Sequence, residues 1–249
     1  MRGNLRAETV SISGHGGDEI EAYLAQPIGD DATPAGGVVV IHHMPGYDAA
    51  TKEITRRFAA HGYPAVCPNL YHREAPGASP DDAAAAARAS GGVPDERLVG
   101  DVAGGVAALQ ALAVCNGRSA TIGYCSGGRQ SVLAACSLSL DAAVDCYGAF
   151  VLNAPPEGAP VSVKPVRDLL PKLSCPLLGL FGSDDQFPAP DEVAELEKLL
   201  GELGKDFEFH SYEGAGHAFF NVDRPSYRPE AAVDGWDRIW TFFGRHLAS

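Results

Sequence analysis

Apolar and polar residues alternate with a period of two in two segments near the start of the chain, residues 9–13 and 20–24. A short stretch rich in glycine, residues 14–18, separates the two segments. Alternation of this kind is typical of a strand with one buried face, and a tight turn between two such strands favours antiparallel pairing. We therefore predict a β-hairpin at the edge of a sheet.

The strands predicted further along the chain are short and mostly apolar, as in a parallel sheet that helices cover on both faces. They comprise residues 37–42, 65–67, 120–123, 143–146 and 177–181, followed by residues 207–212. Segments of helical character lie between and after them, at residues 51–61, 81–90, 94–114, 127–138, 191–203 and 229–246. This alternation predicts an open, doubly wound α/β fold, in a single domain over residues 1–249.

Composition and charge narrow the classes of function. The chain has 249 residues, of which 45% are hydrophobic and 20% charged, the usual balance of a globular domain with a substantial core. The 19 Lys and Arg residues face 32 Asp and Glu residues, which gives a formal net charge of −13. Such a field repels phosphate backbones and anionic lipid surfaces, so we expect no nucleic-acid partner and no membrane partner.

The sequence contains no apolar stretch near the ~18–20 residues that a membrane span requires, and its first eight residues hold no signal-peptide core. We therefore expect a cytoplasmic protein. The six cysteines lie far apart, without the spacing of a zinc site or a disulfide framework, and we interpret most of them as reduced core thiols. They are Cys67, Cys115, Cys125, Cys136, Cys146 and Cys175.

One cysteine stands in a motif with chemical meaning. The sequence GYCSG, residues 123–127, joins a predicted strand to a predicted helix, and G-x-C-x-G is the nucleophile-elbow pattern with Cys in place of Ser. Side chains at Gly123 and Gly127 are expected to collide with the neighbouring helix and strand. The register selects Cys125 and not Ser126, and a helix N-terminus favours the thiolate form of such a cysteine. The alternative is a buried structural cysteine in a glycine-rich turn.

An acid and a histidine follow in the order that α/β-hydrolase triads use. Asp185 lies just beyond the strand at 177–181, and His217 lies just beyond the strand at 207–212. Both positions, like that of Cys125, fall at the carboxyl end of a predicted parallel strand, where open α/β sheets collect ligands. Taken alone, the Asp could shape a turn or cap a helix and the His could be a surface residue. We select Asp185 as the acid from its spacing in the loop, with Asp184 as the alternative.

These residues predict a thioester mechanism. Cys125 attacks an acyl carbon, His217 moves the proton, and Asp185 fixes the imidazole tautomer. The oxyanion needs two backbone N–H groups, one from the residue after the nucleophile, Ser126, and one from the loop after the strand at 37–42. In that loop Pro45 has no N–H, so Met44 is the predicted donor.

Four segments together resemble the dienelactone hydrolase family, the carboxymethylenebutenolidases. They are GYCSGG at 123–128, PNLYHREAPG at 68–77, the acid loop at 182–188 and GAGHAF at 214–219. The resemblance extends over nearly the whole chain. It implies an α/β-hydrolase fold, with a mostly parallel central sheet and helices on both faces, and a Cys-His-Asp hydrolase that opens small unsaturated lactones without a cofactor.

The resemblance also implies a way of binding the substrate. Family members that act on dienelactone hold its carboxylate with two arginines, one of which corresponds to Arg73 in the loop at 68–77. The second position, four residues after the catalytic histidine, is Asn221 in this chain, and Arg224 follows three residues later. Arg73 therefore implies an anionic substrate, whereas Asn221 leaves the charge of the substrate open.

Two further positions bear on the substrate. The residue before the oxyanion-hole donor is commonly a Glu that touches the resting thiol, and here it is His43. An imidazole cannot replace that carboxylate, so the resting state of the thiol is left open. Tyr147 aligns with a family tyrosine near the site, and a core or rim aromatic fits it equally well. No metal site is expected at His42 and His43, because adjacent strand residues point to opposite faces.

The leading hypothesis is a hydrolase of small esters or lactones that acts as a monomer or a homodimer on a small-molecule substrate. Two alternatives stay open at this point. The first is an acyltransferase, because polyester synthases use a similar cysteine elbow, although those chains are usually longer. The second is a non-catalytic α/β binding module that retains the elbow.

Overall fold

The computed structural model describes residues 4–29, 33–159 and 162–248, and the remaining residues lie outside the described part. Within that part, eight strands form one sheet in the order β1-β2-β4-β3-β5-β6-β7-β8. The strands are β1 (Leu5–Ser13), β2 (Glu19–Pro27), β3 (Ala35–Ile41), β4 (Ala65–Pro68), β5 (Cys115–Tyr124), β6 (Ala142–Cys146), β7 (Leu177–Gly182) and β8 (Phe207–Tyr212).

The predicted edge hairpin is confirmed. β1 lies at the edge of the sheet and pairs antiparallel with β2, with Ile12 opposite Ile20. β2 pairs antiparallel with β4, and every later pair in the sheet is parallel. The parallel arrangement brings the carboxyl ends of β3, β5, β7 and β8 to one edge of the sheet, where the loops that follow them meet.

Six α-helices connect or follow the strands in the described residues. They are α1 (Ala49–Ala60), α2 (Pro80–Ala89), α3 (Asp95–Gln110), α4 (Ser126–Ser137), α5 (Pro190–Glu202) and α6 (Pro229–His246). A short 3₁₀ turn at His15–Gly17 closes the hairpin, and a second at Arg167–Lys172 precedes β7. None of these helices is long and apolar enough to cross a membrane.

One predicted boundary is wrong. The helix expected over residues 94–114 ends at Gln110, and β5 already begins at Cys115, five residues before the predicted strand. The early part of β5 is polar and partly exposed, and it pairs with Ala35 at an irregularity in the register. Because this part of the strand buries little apolar surface, its sequence has no apolar run that would indicate a strand.

Helices on both faces give the sheet two hydrophobic layers, as the uniformly apolar strands predicted. Along β3, Val38 and Val40 belong to a cluster with Phe58 of α1. Val39 and Ile41 belong to a second cluster on the opposite face. Successive side chains of a strand point to opposite faces, so a strand buried on both sides must be apolar throughout. The fold is that of an α/β-hydrolase.

Candidate active site

Cys125 occupies the sharp turn between β5 and α4, with backbone angles φ 57° and ψ −122°. A positive φ is costly for a residue with a Cβ, and strained conformations of this kind concentrate at functional sites. The turn is held by the Cys125 N–H, which donates to the Cys146 carbonyl at 3.0 Å, and by the Gly128 N–H, which donates to the Cys125 carbonyl at 2.9 Å. The backbone therefore fixes the thiol at the N-terminus of α4.

The glycines of the elbow are required by close backbone contacts. A Cβ at Gly123 would lie 1.8 Å from the Gly127 carbonyl oxygen, at the start of α4. A Cβ at Gly127 would lie 2.4 Å from the Ile41 carbonyl oxygen, in β3. A Cβ at either position would therefore collide with backbone, as expected from the sequence. The helix can start this close to the sheet only because these two residues have no side chain.

His217 and Asp185 meet at the same edge of the sheet. The Nδ1 atom of His217 lies 2.8 Å from Oδ2 of Asp185, and the other carboxylate oxygen of Asp185 accepts a hydrogen bond from the Phe187 N–H at 2.9 Å. Asp185 is buried, whereas the neighbouring Asp184 is exposed and accepts from the Ser183 hydroxyl. Of the two carboxylates, Asp185 is the one in contact with the imidazole.

The imidazole of His217 is held in its charged form. Burial alone would lower the pKa of His217, but hydrogen bonds and negative charges from Asp185 and Cys125 outweigh burial and raise that pKa to about 10. A histidine with such a pKa carries a proton at neutral pH. The arrangement therefore favours a protonated imidazole at His217.

Cys125 lines a small cavity of about 70 Å³, which we call the thiol cavity. Both predicted oxyanion-hole residues, Met44 and Ser126, line it too. Among the hydrogen bonds of the described residues, none is donated by the backbone N–H of Met44 or of Ser126. Two free donors beside a nucleophile are the arrangement that an oxyanion requires.

His42 shapes the loop that carries Met44. Its side chain is 2% exposed, its Nδ1 bonds to the His43 carbonyl at 2.9 Å, and its Nε2 accepts from the Leu70 N–H at 3.2 Å. Burial lowers the pKa of His42 to about 4, so the ring is neutral. A neutral ring that donates through Nδ1 and accepts through Nε2 ties this loop to the end of β4.

His43 turns away from the loop toward Asp48, with Nε2 and Oδ2 2.6 Å apart. Asp48 is the N-cap of α1 and also accepts from the Thr51 N–H at 2.8 Å. Burial alone would raise the pKa of Asp48, but the bonds from His43 and Thr51 and the His43 charge lower it to about 2. The imidazole of His43 therefore contacts the carboxylate of Asp48 at the N-cap of α1.

Arg73 does not join the site. Its Nη1 and Nη2 donate to the two carboxylate oxygens of Asp101 at 2.9 and 3.0 Å, and its Nε donates to Asp18 at 2.8 Å. Asp101 is fully buried in α3 and also accepts from the His15 N–H. The expectation that Arg73 binds a substrate carboxylate does not fit this position, because its donors tie the edge hairpin to α3 and the residue does not line the thiol cavity.

Sequence reasoning missed Arg88, which lines the thiol cavity from the last turn of α2. Within the described residues no hydrogen bond or ion pair engages its guanidinium. Burial raises the pKa of the neighbouring Tyr71 hydroxyl, and the charge of Arg88 partly offsets that rise. The second cation of the cavity, Arg129, is already bound to Asp95 at 2.9 and 3.0 Å. No acidic residue is among the described residues that line the cavity.

The signal for Arg88 in the sequence was weak. It is the one cation in an alanine-rich helix, where a charged residue is ordinarily a solvated one. Only the packing of α2 beside the elbow distinguishes it from other surface arginines.

The remaining predicted substrate-binding residues do not line the thiol cavity. The Tyr147 ring is buried and packs edge-on against the His217 ring, with centroids 5.2 Å apart. Tyr147 and Asn221 line a second cavity of about 490 Å³, as does His43. Arg224 is exposed and lines neither of these two cavities.

We call this second space the aromatic cavity, because five aromatic side chains line it. They are Tyr124, Tyr147, Phe220, Tyr227 and Trp236. Charged side chains of both signs stand among its other lining residues, namely Glu53, Arg57 and Asp223. No cluster of three or more His, Cys, Asp or Glu side chains suited to a metal ion occurs among the described residues.

The chain is similar to several known proteins. The family model described as "Dienelactone hydrolase family" matches residues 20–247. A Salmonella typhimurium protein named "Putative carboxymethylenebutenolidase" is 33% identical, covering 98% of this chain and 89% of its own. A Bradyrhizobium protein named "Probable 2-oxo-3-(5-oxofuran-2-ylidene)propanoate lactonase" is 29% identical, covering 98% of both chains.

A solved structure has the same fold. The crystal structure titled "Putative Dienelactone Hydrolase" from Klebsiella pneumoniae superposes with a TM-score of 0.85 at 28% identity, covering 97% of this chain and 99% of the other. The family model covers most of this chain, and the names of its relatives describe hydrolases of ester and lactone bonds. The chain therefore belongs to the dienelactone hydrolase family and is a hydrolase that acts on ester bonds.

Proposed function

We propose that this protein hydrolyses small esters or lactones through a thioester on Cys125, with His217 as the proton carrier and Asp185 as the group that orients it. The observation that carries the proposal is the 2.8 Å contact between His217 and the buried Asp185, together with the strained Cys125 elbow, whose thiol helps to raise the pKa of His217. The same geometry, with free N–H groups at Met44 and Ser126, supports an oxyanion in the thiol cavity.

In the first half of the reaction, the Cys125 thiolate attacks the acyl carbon and the carbonyl π electrons move to oxygen. The resulting oxyanion accepts hydrogen bonds from the N–H groups of Met44 and Ser126. When the oxyanion collapses, the C–O bond to the leaving group breaks, and the leaving oxygen takes the proton of the His217 imidazolium. A thioester, a neutral imidazole and an alcohol result. In a lactone the alcohol stays attached to the acyl group.

Acylation also prepares the second half. Negative charge on Cys125 helps to raise the pKa of His217, and that charge disappears when the thioester forms. The neutral imidazole then accepts a proton from water, hydroxide adds to the thioester carbon, and the C–S bond breaks to return the thiolate. The imidazolium and thiolate are thereby restored, and the carboxylic acid product gives its proton to solvent.

Arg88 supports a substrate that carries a carboxylate. It is a cation without an ion-pair partner among the described residues, in a cavity without acidic lining residues, in a protein with a net charge of −13. The Bradyrhizobium relative is named a lactonase for a propanoate, which is an anionic lactone. We propose that Arg88 binds the carboxylate of such a substrate.

Mass spectrometry of the acyl-enzyme tests the proposed function. With p-nitrophenyl acetate, the wild-type protein is expected to gain one acetyl group on the peptide that contains Cys125, and Cys125→Ala to gain none. Cys115→Ala is the matched control, because Cys115 and Cys125 are the cysteines that are not fully buried. Retained hydrolysis by a folded Cys125→Ala protein would overturn the proposal. Added methanol or a thiol distinguishes acyl transfer from hydrolysis through the product.

A further inference from the structure

The lining residues of the two cavities adjoin in the elbow and in the oxyanion loop. The two cavities share no lining residue, but consecutive residues line different cavities at two places in the chain. In the oxyanion loop, His43 lines the aromatic cavity and Met44 lines the thiol cavity. At the elbow, Tyr124 lines the aromatic cavity and Cys125 lines the thiol cavity. His217 contacts one residue from each wall, Tyr147 and Cys125. Cys125 lines only the thiol cavity, but a wall residue of the aromatic cavity, Tyr147, packs against His217, and two others directly precede Met44 and Cys125 in the chain.

The sizes of the cavities are unequal. A volume of about 70 Å³ admits a small acyl group beside the thiol, whereas about 490 Å³ is in the range of pockets that hold whole small molecules. A small lactone that fits beside the thiol would leave most of the larger space unused. The larger cavity thus has room for a substantial group on the far side of the scissile bond.

The lining of the aromatic cavity favours an uncharged, apolar occupant. Aromatic rings supply much of its wall, and they bind flat apolar groups through stacking and edge contacts. Its rim carries Val222 and Val233, two apolar side chains that are 65% and 60% exposed. The Arg57 charge stands over the Trp236 ring, 4.6 Å from its centroid, and acidic side chains accompany it, so the wall offers no excess of positive charge to an anion.

We propose that the aromatic cavity binds the leaving group of an ester substrate, and that this group is an aromatic or similarly bulky apolar alcohol. The inference rests on the proposed function, because it places the scissile bond at Cys125. The acyl part lies in the thiol cavity, and the alcohol oxygen takes its proton from His217 as the C–O bond breaks. Among uncharged esters, the preferred substrates are then those with a short acyl group and a large aromatic alcohol.

A tryptophan that fills the cavity tests this assignment. Ala50 lines the cavity from the first turn of α1, and Ala60 is an exposed residue at the end of the same helix that does not line it. Because the leaving groups differ in intrinsic reactivity, each variant is compared with wild type on the same ester. We expect Ala50→Trp to raise KM for 2-naphthyl acetate about tenfold or more and to change KM for methyl acetate less than about twofold. Ala60→Trp is expected to change neither.

The wild-type protein gives a second test that needs no substitution. We expect 2-naphthol to inhibit methyl acetate hydrolysis competitively, with at least about tenfold higher affinity than methanol, and Ala50→Trp to abolish that inhibition. Equal KM changes for both esters in Ala50→Trp, or inhibition by 2-naphthol that is unaltered in it, would overturn the leaving-group assignment. Failure of the proposed function is a separate result, because hydrolysis of methyl acetate would then survive Cys125→Ala.

Discussion

The Nδ1 atom of His217 lies 2.8 Å from Oδ2 of the buried Asp185, while the adjacent carboxylate of Asp184 points to solvent and bonds to Ser183. We expect Asp185→Asn to lower kcat/KM by roughly 10³- to 10⁴-fold, because the amide cannot fix the imidazole tautomer or stabilise the imidazolium as the carboxylate does. Asp184→Asn is the matched control and is expected to stay within about twofold of wild type. Steady-state hydrolysis of p-nitrophenyl acetate measures both. Equal losses in the two variants would contradict the assignment.

The pKa of His217 leads to a prediction about stability. The folded-state pKa, about 10, lies above the ordinary value of 6.5, so the proton on His217 stabilises the folded protein. This contribution is fully present below about pH 6.5 and is lost as pH rises through about 10. Urea unfolding between pH 6 and pH 10 is expected to show a larger loss of the free energy of unfolding in wild type than in His217→Gln. An NMR titration of the imidazole checks the midpoint directly, and a midpoint near 6.5 would refute the contact network.

The elbow glycines give a prediction about folding. Gly123→Ala places a Cβ 1.8 Å from a backbone oxygen, so the helix must move away from the sheet. We expect a loss of at least about 3 kcal/mol in the free energy of unfolding, at the upper end of overpacking effects. Gly201 lies in α5 with open space around its Cβ position, and Gly201→Ala is expected to be neutral or to stabilise by up to about 1 kcal/mol. Chemical denaturation compares the two, and similar effects would argue against the close contact.

Arg88 is predicted to affect substrate binding, and Arg73 is predicted to affect the stability of the fold. Arg88→Gln is expected to raise KM for a carboxylated lactone roughly 10- to 100-fold, as the loss of a charge-assisted hydrogen bond does, and to leave an uncharged ester unaffected. Arg73→Gln leaves Asp101 buried without its cation and is expected to cost roughly 3–5 kcal/mol in the free energy of unfolding. Where Arg73→Gln folds, its KM for the carboxylated lactone should equal that of wild type. A selective KM effect in Arg73→Gln alone would reverse the two roles.

Local patterns in the sequence were sufficient for most of the fold. Each of the predicted strands and helices is present, because periods of two and of about 3.6 residues report directly which side of an element is buried. The start of β5 was missed because its polar residues bury little surface. The candidate nucleophile, acid and histidine were also visible, since strand ends, glycine spacing and chain order restrict where such residues can stand.

By itself, the sequence determined the order of the elements and the positions of Cys125, Asp185 and His217 at the ends of parallel strands. Only the tertiary structure decided which cation lies beside the thiol. Arg73 and Arg88 are both plausible by composition, but one is held by the buried Asp101 and the other lines the thiol cavity. The aromatic cavity likewise appears only on folding, because its wall combines residues from α1, β5 and α6. Contacts between residues distant in sequence depend on how helices pack on the sheet, and no local period of the chain encodes that packing.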